Sequence, residues 1–271
     1  MKRSLKRALA LALGAMLLFS LMLPQALAAP EQSGKYGSNL KWTYSKGTMT
    51  LSGKGDMAYY EDEEDIPWPT NDIKKVVIKE GVTSLSDSAF AYCESLSSIS
   101  LPKSLKKIGF KALNGTSLKE VKVAKGSKYF STKKGVLFNK KKTTLVYYPT
   151  QKKGSSYTVP SSVKTIASGA FAGDMDIYSA NPHLKKLILP KKLKKVEADA
   201  FSYTKISTFK FKGANPKFGK AAFAGADAKI LYPKKHRKCW SSAIKALKEE
   251  YMSGSSDDED EDETYLTFAW F

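Results

Sequence analysis

Leu96-Ser-Ser-Ile99-Ser-Leu101-Pro102-Lys-Ser-Leu105-Lys-Lys-Ile108 returns further along the chain as Leu184-Lys-Lys-Leu187-Ile-Leu189-Pro190-Lys-Lys-Leu193-Lys-Lys-Val196, with every apolar spacing kept. The first copy closes on Ala112-Leu113 and the second on Ala200-Phe201. Two more copies run from Ile73 to Ala89-Phe90 and from Tyr157 to Ala170-Phe171, and weaker ones begin at Leu118 and Ile206. Ile73 to Leu96 is 23 residues, and Leu96 to Leu118 and Leu184 to Ile206 are 22 each. A fixed period of this length marks a stacked repeat rather than a globular domain.

The spacing also dictates the local structure. In L-x-x-I-x-L alternate side chains share a face, as a strand requires, and the proline ends the strand because it cannot donate to the ladder. The apolar steps of three and four that follow, closing on Ala-Phe, suit a short turn of helix or tight coil on an opposite wall. One unit cannot bury its apolar face alone, so the copies must stack into a solenoid with a common core. The fold class expected is a solenoid with parallel strands and short helical or coil turns, in about six repeats.

The repeat resembles the BspA-type bacterial leucine-rich repeat, whose pattern is roughly L-x-x-I-x-I-P-x-x-V-x-x-I-x-x-x-A-F-x-x-C. Cys93 stands at the cysteine place, in Ala89-Phe90-Ala91-Tyr92-Cys93, and later copies carry Gly115, Asp174, Thr204 and Ala226 there. Those replacements suit packing better than chemistry. The resemblance extends to Leu40-Lys-Trp42, Gly47 through Met57 and Pro67-Trp68, which look like a small β module that often precedes such repeats. It extends also to Tyr129–Pro149, which resembles an inserted hairpin around a polar turn from Asn139 to Lys142. Adhesion and interaction roles are what the family resemblance implies.

The organisation expected is therefore a signal peptide over 1–28, an N-terminal β cap over 29–72, repeats over 73–233 with a hairpin near 129–149, a capping helix over 234–252 and a tail over 253–271. The leader has a basic start (Lys2, Arg3, Lys6, Arg7), a 16-residue apolar run and the small-residue site Ala26-Leu27-Ala28, with cleavage expected after Ala28. That run is short for a membrane span, an uncleaved anchor being the alternative. The mature chain is expected outside the cell, released or held at the surface, with no transmembrane span. Trp240, Ile244, Leu247 and Tyr251 recur at helical spacing and predict the capping helix. In the tail, Asp257–Glu263 is seven consecutive acids, a self-repelling run, and Tyr265–Phe271 is aromatic-ended. Folding loosely back on the lysine-rich body, recognition of a partner and weak calcium binding are the readings open for it.

Removing the leader leaves 41 basic against 26 acidic residues, a net charge of about +15, and Arg237 is the one arginine among the 41. Hydrated lysine point charges do not read base edges, and no helix, zinc or aromatic recognition motif accompanies them, so specific nucleic-acid recognition is not expected. Lysine here is either a solvated, edge-blunting surface or an attraction for a polyanion. Cys93 lies in the first repeat and Cys239 after the last, farther apart than the roughly 7 Å between α-carbons that a disulfide tolerates. Two free thiols follow.

No catalytic set emerges. His183 and His236 lack companions at metal-ligand spacing, and Ser84, Ser86 and Ser88 solvate loops without a nucleophile elbow. Gly53-Lys-Gly55 lacks the rest of a phosphate loop, and Glu61–Asp65 sits in one loop rather than across a substrate. No enzyme, cofactor or metal is expected. What remains is a surface formed by the outward strand residues Lys75, Val77, Lys79, Ser98, Ser100, Glu120, Lys122, Thr158, Lys186, Ile188, Thr208 and Lys210. Stacked in columns, these make a docking face for an extracellular or surface protein. The alternative is lysine-mediated retention on an anionic cell-wall polymer or glycan.

Overall fold

The computed structural model describes residues 32–59, 66–173, 180–252 and 266–271, so the signal peptide expected over 1–28, the Glu61–Asp65 cluster, Asp174 and the acidic run lie outside the described residues. Within them the chain winds as a solenoid with two β walls. The first wall takes the L-x-x-I-x-L segments: β4 (Lys75–Ile78), β6 (Ser98–Leu101), β8 (Val121–Val123), β12 (Ser156–Thr158), β14 (Lys186–Leu189), β16 (Thr208–Phe211) and β18 (Ala228–Tyr232). They pair in parallel, as a one-way winding demands. The second wall is a ladder of two-residue strands: β5 (Ser84–Leu85), β7 (Lys107–Ile108), β13 (Thr165–Ile166), β15 (Lys195–Val196) and β17 (Lys217–Phe218). Of the two options for this wall, coil with brief pairing is realised rather than helix.

The repeating corner after each second-wall strand explains why Ala-Phe recurs. Ser88, Lys111, Gly169, Asp199 and Ala221, each just before the Ala-Phe or Ala-Leu pair, adopt left-handed backbone with φ between 51° and 64°. That kink turns the aromatic inward, and its amide reaches the next turn: Phe90 N donates to Ala112 O and Phe201 N to Ala222 O, both at 2.9 Å. The inward rings then stack along the solenoid axis. Tyr148–Phe171, Phe171–Phe201 and Phe201–Phe223 have centroids 5.0, 5.5 and 5.1 Å apart.

Both ends are closed by elements of other kinds. At the start, β1 (Gln32–Tyr36), β2 (Leu40–Ser45) and β3 (Thr48–Gly53) form an antiparallel meander, and β3 then pairs in parallel with β4. Leu40, Trp42 and Tyr44 point inward from β2 in strict alternation, and Trp68 packs on Phe90 at 5.7 Å. At the far end α1 (Arg237–Met252) inserts Trp240 and Leu247 into the core, with Trp240 stacked on Tyr232 at 5.2 Å.

Most of the tail falls outside the described residues, but its last part is a strand. In β19 (Leu266–Trp270) the chain returns as one more parallel neighbour of β18. Leu266, Phe268 and Trp270 stand beside Ala228, Ile230 and Tyr232; half-buried Leu266 and Phe268 extend the inward column of the repeats, and Trp270 is exposed. Exposed β18 amides would otherwise leave an open edge. Lys210 Nζ lies 3.9 Å from the Phe271 ring centroid, and the Arg237 guanidinium lies 5.1 Å from that of Trp270. Both contacts are cation–π attractions that tether the strand.

The third repeat is interrupted. Between β8 and its second-wall strand β11 (Thr144–Tyr147), the chain makes the hairpin β9 (Phe130–Lys133) and β10 (Val136–Asn139). Asn139 holds the polar turn that leads from β10 antiparallel into β11, its Oδ1 accepting from Thr143 N and Thr144 N at 2.8 and 3.1 Å. On the second wall β10 occupies the place beside β11 that β7 would fill. On the first wall the β9–β10 turn abuts β8, with Val121 N donating to Gly135 O at 3.0 Å. The hairpin thus passes as a wedge across the stack. Alternation along it sends Phe130, Leu137 and Tyr147 into one apolar core and Val136, Phe138 and Leu145 into the other.

Candidate binding face and cleft

The outward strand residues sit where alternation puts them. Lys75 is beside Ser98, and Val77, Ser100 and Lys122 form one column. Beyond the wedge, Lys186 is beside Thr208, and Thr158, Ile188 and Lys210 form a second column. Lys79 lies exposed just past β4, and Glu120 lies exposed just before β8, its carboxylate 3.4 Å from Lys122 Nζ. The twelve residues therefore form two half-faces rather than one, because β8 does not pair with β12. Lys210 is already engaged by Phe271.

At this discontinuity the surface opens into a cleft of about 850 Å³. Thr158 and Ile188 of the outward columns form part of it. Its other walls come from places the repeat pattern does not mark. Lys133 and Lys134 come from the end of β9 and the hairpin turn, and Lys152 and Lys153 from the loop after β11. Lys191, Lys192 and Lys212 lie just past the ends of β14 and β16. Seven lysines thus ring one opening, and among the described residues no carboxylate lines it. The sequence signal was visible as three Lys-Lys doublets, at 133–134, 152–153 and 191–192. What it did not show is that the wedge brings them together.

Geometry fixes parts of this rim. Gly135 has φ +79°, and a β-carbon there would stand 2.6 Å from Glu120 Cβ, so the turn needs glycine to press against the β8 segment. Lys152 Nζ donates to the Lys134 carbonyl, tying the loop to the hairpin tip. The loop is also anchored below by Asn181, whose Nδ2 donates to Pro149 O and Lys152 O, each at 2.9 Å. At the floor, buried Tyr148 stacks on Phe171, and half-buried Tyr157 packs against Tyr148 with centroids 5.0 Å apart. Burial pushes the Tyr148 hydroxyl up to about 12 and raises that of Tyr157 as well, so both rings are neutral at physiological pH.

The remaining candidates stay apart. His183 is exposed at a loop and His236 lies in the 3-10 turn before α1. Among the described residues, no three His, Cys, Asp or Glu side chains gather as metal ligands would. Cys93 is buried in the first core, its thiol pushed up to about 12 by burial, while Cys239 is exposed on α1. Among the described residues no helix is long and apolar enough to cross a membrane.

Comparison with known proteins places these observations. The profile of the BspA type leucine-rich repeat region matches residues 69–177 and 153–229, in six copies. The chain is similar to a leucine-rich repeat protein from Eubacterium ventriosum, at 17% identity over 76% of this chain and 79% of that one, with a TM-score of 0.32. It is similar also to the pneumococcal vaccine antigen PcpA, at 18% over 87% and 98%, TM-score 0.36. A third likeness is to a leucine-rich cell surface protein from Faecalibacterium prausnitzii, at 19% over 60% and 54%, TM-score 0.37. No curated protein matches the sequence.

Proposed function

Because the chain belongs to the BspA-type leucine-rich-repeat family, we propose that it is a secreted or surface-held binding protein that docks an extracellular macromolecule on the outward face of its first wall. The observation that carries this reading is the composition of that face. Lysine, small polar and scattered apolar side chains stand in columns along parallel strands, on a scaffold that holds them rigidly from behind. Extended solenoid faces of this kind suit recognition by shape and charge rather than catalysis. Export by the 1–28 leader, with cleavage after Ala28, belongs to the same proposal, as does the absence of an enzymatic role.

The test is affinity capture from extracellular material by the mature chain, by a Lys75→Glu/Lys122→Glu variant of the first wall and by a Lys107→Glu/Lys217→Glu variant of the second. Captured species that survive the second-wall change and are lost with the first-wall change support the reading. Equal retention by all three forms, or none by any, removes it. Charge reversal at exposed positions costs little stability, so unchanged melting separates lost docking from lost fold.

A further inference from the structure

We propose that the cleft at the break in the first wall is a binding site for an anionic oligosaccharide, whose acid groups meet the lysine rim while its sugar rings lie on the apolar floor. The proposal rests on the binding role above and gives that face a ligand class.

Charge is the first argument. Lys133, Lys134, Lys152 and Lys153 face Lys191, Lys192 and Lys212 around one opening. Among the described residues, ion pairs such as Lys122–Glu120, Lys195–Glu197 and Lys245–Glu249 lie elsewhere, and none involves a lysine of the cleft. Like charges collected without a counter-charge among the described residues repel one another and disfavour the compact state, a cost that an anionic ligand relieves. The lysines arrive from four separate chain segments, so the cluster is created by the fold. One small anion cannot meet a rim this wide, whereas a ligand with recurring acid groups can.

The floor decides between polyanions. Pro160 and Ile188 give it a half-buried aliphatic surface, and the Tyr148 ring is buried against Phe171 with Tyr157 packed on it. Nucleic-acid strands are held by open aromatic platforms on which bases stack, and here the tyrosine rings are committed to each other and to the core. Lysine also lacks the planar fork that arginine offers to phosphodiesters and base edges. An aliphatic floor inside a ring of point charges matches a sugar, which carries C–H faces between its acid groups. The volume lies within the range of about 300–1,000 Å³ typical of small-ligand sites, enough for a short oligosaccharide.

The experiment is calorimetric titration of the mature chain with three hexasaccharides: a heparin-derived sulfated one, a carboxylated oligogalacturonate and neutral cellohexaose. Oligothymidylate and a hexaglutamate peptide are titrated as further polyanions. Binding of either acidic saccharide with none of cellohexaose is expected, and the two acidic arms identify the acid group. A Lys153→Glu/Lys191→Glu/Lys192→Glu variant should bind at least tenfold more weakly. A Lys106→Glu/Lys107→Glu/Lys217→Glu variant carries the same change of charge on the second wall and should shift less than threefold. Equal losses in the two variants would mean diffuse attraction and overturn the site. Oligothymidylate or hexaglutamate binding as tightly as the saccharides would overturn the ligand class. Absence of saccharide binding, while the first-wall variant still loses its captured macromolecule, defeats this proposal and leaves the binding role standing.

Discussion

Replacing Phe201 by alanine should remove the keystone of the axial aromatic stack. Its side chain is fully buried, with neighbouring centroids at 4.7 Å (Phe209), 5.1 Å (Phe223) and 5.5 Å (Phe171). Truncating a buried phenylalanine costs about 3–5 kcal/mol in lost transfer free energy and residual cavity. Aromatic pairs contribute about 0.5–1.5 kcal/mol each beyond area burial. With three such pairs lost and neighbours held by a continuous ladder, little collapse is possible and the upper end, about 4–5 kcal/mol, is expected. At a urea m-value of about 3 kcal/mol per molar, the midpoint falls by about 1.5 M. Tryptophan fluorescence follows the transition, and Trp240, which closes the same core, reports the affected half. Leucine at this position should cost less, about 2 kcal/mol, because it keeps most of the buried volume while losing the ring pairs, and Leu113 fills the corresponding place in an earlier turn. A midpoint shift under about 0.5 M for the alanine variant would refute the stacked-core account.

Other outcomes follow from single features. Truncation after Gly254 removes β19 and bares the β18 edge, so size-exclusion chromatography with light scattering should show concentration-dependent self-association absent from the full chain. Gly135→Val should destabilise by more than about 1 kcal/mol, since φ is positive there and the new side chain meets Glu120, with thermal melting as the check. A thiol reagent should label Cys239 quickly and Cys93 only on unfolding, giving one fast equivalent in the native protein. Glu80 accepts from Lys103 N and Ser104 N at 2.9 and 3.1 Å, and these bonds hold its carboxyl below the usual range. A lowered native value means that its contribution is present above the ordinary carboxylate range and is lost as pH falls through and below that range. Melting of Glu80→Gln should therefore depend less on pH there than the parent.

The period carried most of the fold because strand alternation, the closing proline and Ala-Phe are local codes that each turn repeats. Leu187 and Leu189 face inward, and Lys186 and Ile188 face outward, as their spacing requires. The second wall was less legible. Its two-residue strands depend on hydrogen bonds between turns, and its corners place non-glycine residues such as Lys111 and Asp199 in left-handed backbone, which composition does not signal. The tail was read from its acids and aromatics, and the strand Leu266–Trp270 becomes evident only beside the vacant edge of β18. The twelve outward residues follow from alternation alone. The cleft does not, because Lys134, Lys153 and Lys191 are distant in sequence and meet only where the hairpin wedge stops β8 from pairing with β12.

Lysine footprinting of residues 29–271, free and bound to a captured extracellular ligand, addresses the binding face directly. Acetylation should be suppressed on binding at Lys75, Lys122 and Lys186, all exposed on the first wall, and unchanged at Lys107, Lys195 and Lys217 on the second. Protection confined to the second-wall lysines, or spread evenly over both walls, would contradict the assignment of that face.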